Sequence, residues 1–150
     1  MTILAIMSTA VIPVFSGTFG RVERDHAVRD FVATVKYAQE RAVTDTRECR
    51  LYLDPEASEY WLMRLETVED TKKVFKPLEE RQGESMILPE RLSMDKIKAK
   101  KDRRTKTYYI AFYPNGASDR ASVAFRRDDG RSVLVELKGT LGEMKVSDRR

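Results

Sequence analysis

Residues 2–19 carry no charged side chain, and this run constrains the fold more than any other feature of the sequence. It reads TILAIMSTAVIPVFSGTF and is apolar on every side when drawn as a helix, so it has no polar face to offer to water. Its 18 residues lie just below the about 20 that a helix needs to cross a bilayer. The segment therefore needs lipid, sister helices or a protein interior around it.

Three interpretations of this segment compete. A secretory signal peptide would begin with basic residues, and Met1-Thr2 supplies none. A helix buried in the core of its own domain is a second interpretation. We favour a membrane helix that lacks its first turns, because the apolar run begins abruptly at Met1. Pro13 removes one backbone hydrogen bond within the run, so we expect the helix to kink there.

Beyond residues 1–20, the pattern changes to that of an amphipathic helix over 21–47, which we expect to continue into the head. Apolar residues recur at intervals of three and four, which places them on one face for packing. These residues are Ala27, Phe31, Val35, Ala38 and Ala42. One helix over 3–46 would be about 66 Å long. Because that exceeds the about 26 Å diameter of a compact head, the helix should protrude.

Residues 48–150 follow a period of two and predict a β-rich head. A hairpin is expected over 49–65, with its turn at 54–58, whereas 67–91 shows no sustained period and is interpreted mostly as loop. Four or five antiparallel strands under one helix make an α+β arrangement, with the apolar stripe of the helix covering the sheet. The further strands are expected over 92–99, 105–113, 122–127, 131–138 and 143–146.

The composition argues against most kinds of catalytic site. The net charge of +4 is mild, and the single cysteine, Cys49, excludes an internal disulfide and a multi-cysteine metal site. We interpret Cys49 as an ordinary strand residue and His26, the only histidine, as a solvated helix residue. Nucleophile-elbow and phosphate-loop motifs are absent from the sequence. We therefore expect a protein that is not an enzyme and that has no cofactor, metal or small-molecule substrate.

The strongest charge feature is the basic segment 96–106, KIKAKKDRRTK, in which Asp102 is the one acid. The favoured interpretation is a solvated loop whose lysines prevent pairing between sheet edges. The alternative is an anion-binding patch for DNA or lipid phosphate, assisted by Tyr108, Tyr109 and the terminal Arg149-Arg150. The basic residues are Lys96, Lys98, Lys100, Lys101, Arg103, Arg104 and Lys106.

Four short sequence segments follow the apolar run and its proline, and in this order they resemble the GspH/FimT family of minor pseudopilins. The likeness covers nearly the whole chain, and FYPNG, with its placement, is its strongest part. The segments are VKYAQERAV at 35–43, LYLDP at 51–55, IAFYPNG at 110–116 and GTLGEMKV at 139–146. Members of this family serve type II secretion systems and type IV pili.

The resemblance implies a structural subunit with a pilin-like fold, anchored in the bacterial inner membrane by a single helix, with its head in the periplasm. Such a subunit packs helix to helix with other pseudopilins, near the tip of a type II secretion pseudopilus. The alternative is a DNA-binding minor pilin of a type IV pilus or competence system. Family members start with a basic leader, a prepilin cleavage site and a methylated residue. Aligned on Pro13, this chain begins later, so we expect Met1 to lie inside a longer reading frame.

Overall fold

The computed structural model of the chain describes residues 25–79, 81–139 and 143–149. The apolar segment 1–20, the expected break at Pro13 and the first part of the expected long helix lie outside these residues.

Helix α1 occupies residues 25–44 and lies against the head with its apolar stripe. The side chains of Phe31, Val35, Ala38 and Ala42 are fully buried, and Ala27 is partly buried at the margin of the core. Since the remaining helix positions carry mostly polar and charged side chains, one face of α1 is committed to its own head.

The helix ends in a Schellman motif that uses threonine where glycine is usual. The amide of Arg47 donates to the carbonyl of Ala42 (3.2 Å) and the amide of Thr46 to that of Val43 (3.3 Å), which are the two bonds that define the motif. Thr46 consequently has a φ of 52°, a left-handed conformation that a β-branched residue adopts at a cost. The turn redirects the chain into the first strand.

The head contains two antiparallel sheets. Sheet A has the order β3-β2-β1-β7-β6, with β4 pairing with β2, and sheet B has the order β10-β9-β8-β5. The strands are β1 (Cys49–Asp54), β2 (Glu59–Glu69), β3 (Lys72–Pro77), β4 (Met86–Ile87), β5 (Leu92–Lys98), β6 (Lys100–Lys101), β7 (Tyr108–Phe112), β8 (Ala121–Arg127), β9 (Ser132–Leu137) and β10 (Met144–Arg149). A short 3₁₀ helix, Arg81–Gly83, precedes β4.

The predicted fold class, a helix on an antiparallel β head, is confirmed. The hairpin also forms as expected, with Cys49 paired to Arg64 and Asp54 to Glu59. The expected four or five strands, and also the seven strand ranges outlined above, were too few, since the described residues form ten strands in two sheets.

The interpretation of 67–91 as mostly loop was wrong. Strand β2 continues to Glu69 and turns directly into β3. The turn residues Asp70 and Thr71 both have positive φ, 45° and 69°, as a tight hairpin turn requires. Because neither residue is glycine and β3 is an exposed edge strand rich in lysine, the usual sequence signals of a turn and a strand were missing.

A single core joins the helix to both sheets. The ring of Phe31 contacts Tyr60 of sheet A and Phe125 of sheet B, with centroids 5.1 and 4.8 Å away. Around these rings lie the inward side chains of both sheets, which include Leu51, Leu53, Leu62, Ile110, Phe112, Val123, Val133 and Val135. The opposite face of sheet A, which we call its outer face, points away from α1.

Candidate functional site

The structure divides the basic segment between the two sheets. Lys96 and Lys98 lie on β5 of sheet B, opposite Ala124 and Ser122 of β8. Two residues later the chain joins sheet A, where Lys100 pairs with Tyr109. The remaining basic residues of the segment are Lys101, Arg103, Arg104 and Lys106, and all seven are exposed. The segment therefore carries the chain from sheet B to sheet A, and its basic residues lie on both sides of that crossing.

Asp102, the one acid of the segment, organises its turn. The amide of Arg104 donates to the Asp102 carboxylate (2.9 Å). Backbone bonds from Asp102 to Thr107 (2.8 Å) and from Lys106 to Asp102 (2.9 Å) close the turn. The basic side chains at 103, 104 and 106 are thus carried on a hydrogen-bonded loop at the β6 edge.

A concave surface lies beside Lys98, and sequence reasoning did not find its other cations. Lys98 at the end of β5, Arg120 just before β8 and Lys138 just after β9 line a cavity of about 520 Å³. Ser122 and Glu136 form its floor, in one cross-strand row with Lys98. We call this set the basic cleft. Three cations face one carboxylate there, so the cleft favours an anion.

A carboxylate at the sheet crossing holds Lys100 in place. Asp119 accepts hydrogen bonds from the Lys100 ammonium (3.2 Å), the Tyr113 hydroxyl (2.8 Å) and the amide of Ala111 (3.2 Å). The bond to Asp119 raises the pKa of Lys100. Burial, reinforced by the bond to Asp119, raises the pKa of Tyr113. The ammonium of Lys100 is thus paired with a carboxylate at the β6 edge of sheet A.

Three aromatic rings cross the outer face of sheet A in one row. Tyr52 of β1 pairs with Trp61 of β2 on one side and with Tyr109 of β7 on the other. The rings of Tyr52 and Trp61 are stacked, with centroids 5.7 Å and planes 6° apart, and Tyr109 lies 5.8 Å from Tyr52. We call these three residues the ring row. Lys100 lies opposite Tyr109 at one end of it.

A clamped arginine lies next to the ring row. The Arg50 guanidinium lies 4.1 Å from the ring centroid of Phe75 and 4.5 Å from that of Tyr109. Its Nε lies 3.4 Å from the carboxylate of Glu48, which also accepts a bond from the ammonium of Lys73 at 2.8 Å. Stacking on two rings fixes a positive charge beside the aromatic surface.

Sequence reasoning also missed the ring row. The signal was available, because the hairpin turn at 54–58 fixes a register that pairs Tyr52 with Trp61. Arg120 and Lys138 carried no comparable signal, since they join Lys98 only when β5, β8 and β9 have paired.

Cys49 and His26 lie apart from these surfaces. Cys49 is fully buried in β1, and burial, with a smaller effect from Asp45, raises its pKa to about 11. His26 is exposed on α1. Across residues 25–79, 81–139 and 143–149, no three side chains of the metal-binding types cluster together.

Comparison with known proteins gives structural matches only. No protein-family model matches the sequence, and no curated protein matches it. One similar structure is that of the minor pseudopilin EpsH from the type 2 secretion system of Vibrio cholerae, with a TM-score of 0.65 at 12% identity, covering 83% of this chain and 96% of that one. A second EpsH structure gives a TM-score of 0.59 at 12% identity, covering 83% and 92%.

The type IV minor pilin FimU of Pseudomonas aeruginosa is similar too, with a TM-score of 0.58 at 16% identity, covering 85% of this chain and 90% of that one. The chain therefore has the pilin-like fold that minor pseudopilins and minor pilins share, as its sequence resemblance implied. In the part of the chain that the structure describes, no helix is long and apolar enough to cross a membrane. The apolar residues 2–19 lie outside that part.

Proposed function

We propose that the chain is a minor structural subunit of a pilin-like filament, namely a type II secretion pseudopilus near its tip. On this proposal the apolar residues 2–19 anchor the subunit in the inner membrane and then pack against sister helices, while the head lies in the periplasm. The pilin-like fold supports the class of function, and the sequence resemblance supports the choice of secretion system.

The observation that carries this proposal is how the helix divides its surface. The apolar stripe of α1 is covered by the head, where Phe31, Val35 and Ala38 are fully buried. Most of its exposed positions, such as Arg29 and Lys36, are charged or polar. Because the main apolar stripe of α1 is already occupied, the uncharged residues 2–19 offer the larger apolar surface for assembly.

Cysteine cross-linking within the assembled filament tests this proposal. In a Cys49→Ala background, Ala10→Cys should form disulfides with a cysteine at the matching helix position of a co-expressed pilin-like subunit. Glu56→Cys, on the exposed turn between β1 and β2, is the matched control and should not. Equal cross-linking by Ala10→Cys and Glu56→Cys would contradict assembly through the apolar segment. So would a complete lack of cross-linking by Ala10→Cys when the partner cysteine is moved through neighbouring positions of its helix.

A second candidate function, binding of DNA or another phosphate polymer, is favoured by the basic cleft. From the sequence alone, the anion-binding interpretation of segment 96–106 rested only on its cluster of basic residues. The fold adds Arg120 and Lys138 to Lys98 around one concavity. Within the described residues, none of these three cations makes an ion pair, so all three are available to phosphate.

Salt-dependent binding tests the second candidate. Removing one cation that contacts a phosphate should reduce the slope of log affinity against log salt by about 1. Lys98→Gln, Arg120→Gln and Lys138→Gln together should therefore reduce it by about 3. The matched control removes three exposed cations elsewhere, Arg29, Lys36 and Arg81, and should change the slope less. An equal reduction in both triple variants would show that binding follows net charge rather than the cleft.

A further inference from the structure

We propose that the ring row and Arg50 bind unpaired nucleobases, so that the polymer held by the basic cleft is a single-stranded nucleic acid. This inference rests on the second candidate function above, because the cleft supplies the phosphate contacts and the ring row supplies the base contacts. Proteins that hold single strands combine a basic track for the backbone with aromatic side chains on which bases stack.

The two surfaces are linked along the chain by the crossing between the sheets. Lys98 of the basic cleft is followed two residues later by Lys100, which pairs with Tyr109 at the end of the ring row. From Lys100 to Trp61 the path crosses β6, β7, β1 and β2, three strand spacings of about 4.8 Å each, or about 14 Å. A strand of a few nucleotides can span both surfaces.

The end of the ring row at Trp61 is open to a base. The indole has Tyr52 stacked on one side and is only partly buried. On its other side, β3 ends at Pro77, which pairs with Met63, and β4 begins at Met86, which pairs with Tyr60, so Trp61 lies in the gap between the two ladders. A planar base can therefore continue the stack beyond Trp61.

The site is held in place before any ligand binds. Tyr52 is buried between its neighbours, and Arg50 is clamped between the rings of Phe75 and Tyr109. Binding therefore costs little side-chain freedom, which favours affinity. On the β3 side of sheet A, the Lys73 ammonium bonds the Glu48 carboxylate that also contacts Arg50.

Stacking makes the site selective for single strands. In a duplex the faces of the bases are already stacked on one another, and only the backbone is presented to the protein. The ring row then contributes nothing, and the basic cleft alone binds the phosphates. A purely structural role for the rings, as a cross-strand aromatic cluster, predicts effects on stability and none on this selectivity.

The experiment titrates the full chain, in mild detergent, with an oligothymidylate of about 20 nucleotides, a blunt duplex of the same length and inorganic polyphosphate. Trp61 is the only tryptophan, so its fluorescence reports directly on the site. We expect the oligothymidylate to quench it and the duplex and polyphosphate to leave it nearly unchanged. Binding of all three is followed in parallel by competition against a fluorescently labelled oligothymidylate.

Trp61→Leu should weaken oligothymidylate binding about tenfold, the effect of losing one stacked base. It should leave polyphosphate binding unchanged, and Trp61→Phe should restore most of the affinity. Val68→Ala, at an exposed position on the same strand, is the control. The triple glutamine variant of the basic cleft should weaken all three ligands.

Two results would overturn the inference in different ways. If Trp61→Leu and the control bind oligothymidylate equally, or if binding leaves the tryptophan fluorescence unchanged, the ring row contacts no base, while polymer binding by the cleft stands. If none of the three ligands binds at low salt, the second candidate function fails and this inference fails with it.

Discussion

Phe31 of helix α1 stands edge-on to Tyr60 of sheet A, with ring centroids 5.1 Å and planes 85° apart. This geometry places the positive ring edge against a negative ring face, which is a favourable arrangement for aromatic pairs. The same side chain contacts Phe125 of sheet B, so one helical residue links all three layers of the core. The helix is therefore an integral part of the head.

Phe31→Ala should lower the free energy of unfolding by about 3–5 kcal/mol, because it removes a fully buried ring and leaves a cavity between the sheets. Urea unfolding of the full chain, followed by tryptophan fluorescence, measures the change. Val43→Ala, at an exposed position on the same helix, should change the free energy by less than about 0.5 kcal/mol. Similar decreases in the two variants would mean that Phe31 does not link the layers.

Thr46→Gly should stabilise the chain by about 0.5–1 kcal/mol. The left-handed φ of 52° at the helix terminus strains threonine but not glycine, so the substitution relieves strain in the folded chain. This gain exceeds the loss caused by the greater backbone freedom of glycine in the unfolded chain. Thr44→Gly, two residues earlier but still helical, should destabilise by a similar amount. Thermal unfolding measures the change in melting temperature of each variant, and changes of the same sign would contradict the Schellman ending.

The helix and the first hairpin could be predicted because their signals are local. The stripe from Phe31 to Ala42 has the helical period, and the turn after Asp54 fixes the pairing of β1 with β2. The division into two sheets could not be predicted, since the chain changes sheet between Lys98 and Lys100 with nothing in the sequence to mark the crossing. Only the pairing partners of β5 and β6 define it.

The Cys49 thiol should react slowly with disulfide reagents while the chain is folded. It is fully buried, and burial raises its pKa to about 11 from an ordinary value of 9.0. At pH 8 this lowers the thiolate fraction about a hundredfold, before any effect of access. Labelling kinetics in native buffer and in urea measure the difference. Equal rates would show that β1 is open at this position.

The same pKa shift makes a stability contribution that depends on pH. The folded chain favours the neutral thiol, so the contribution is fully present below about pH 9 and disappears as the pH rises towards 11. Cys49→Ala should therefore flatten the alkaline part of the stability curve. Urea titrations at pH 8 and at pH 10.5 provide the measurement, and an unchanged slope would contradict the assignment.

Replacing Glu48 should lower the free energy of unfolding more than replacing its partner Lys73. Its carboxylate is nearly buried and bonds both Arg50 and Lys73, whereas the Lys73 side chain is 48% exposed. Glu48→Gln weakens two bonds in a buried setting and should cost about 1–3 kcal/mol. Lys73→Gln breaks an exposed contact and should cost less than about 1 kcal/mol. Unfolding curves measure both, and the reverse order would contradict the role given to Glu48.

The candidate site could be predicted only in outline. The density of charge in 96–106 identified the basic segment, but Arg120 and Lys138 join Lys98 through the pairing of three strands that are distant in sequence. Predicting the ring row required one further inference. The residues that alternate with Leu51 and Leu53 along β1, and their cross-strand partners, had to be recognised as a separate surface on the outer face of the sheet. Their alternation was visible in the sequence, and their burial against one another was not.

Vesicle flotation tests the central claim, that residues 2–19 prefer lipid or sister helices to the interior of their own head, most directly. The full chain and a form that begins at residue 25 are mixed with phospholipid vesicles in high salt, which suppresses attraction through basic residues. We predict that the full chain floats with the vesicles and that the shortened form stays at the bottom, folded and monomeric. A full chain that stays at the bottom as a monomer would contradict the account.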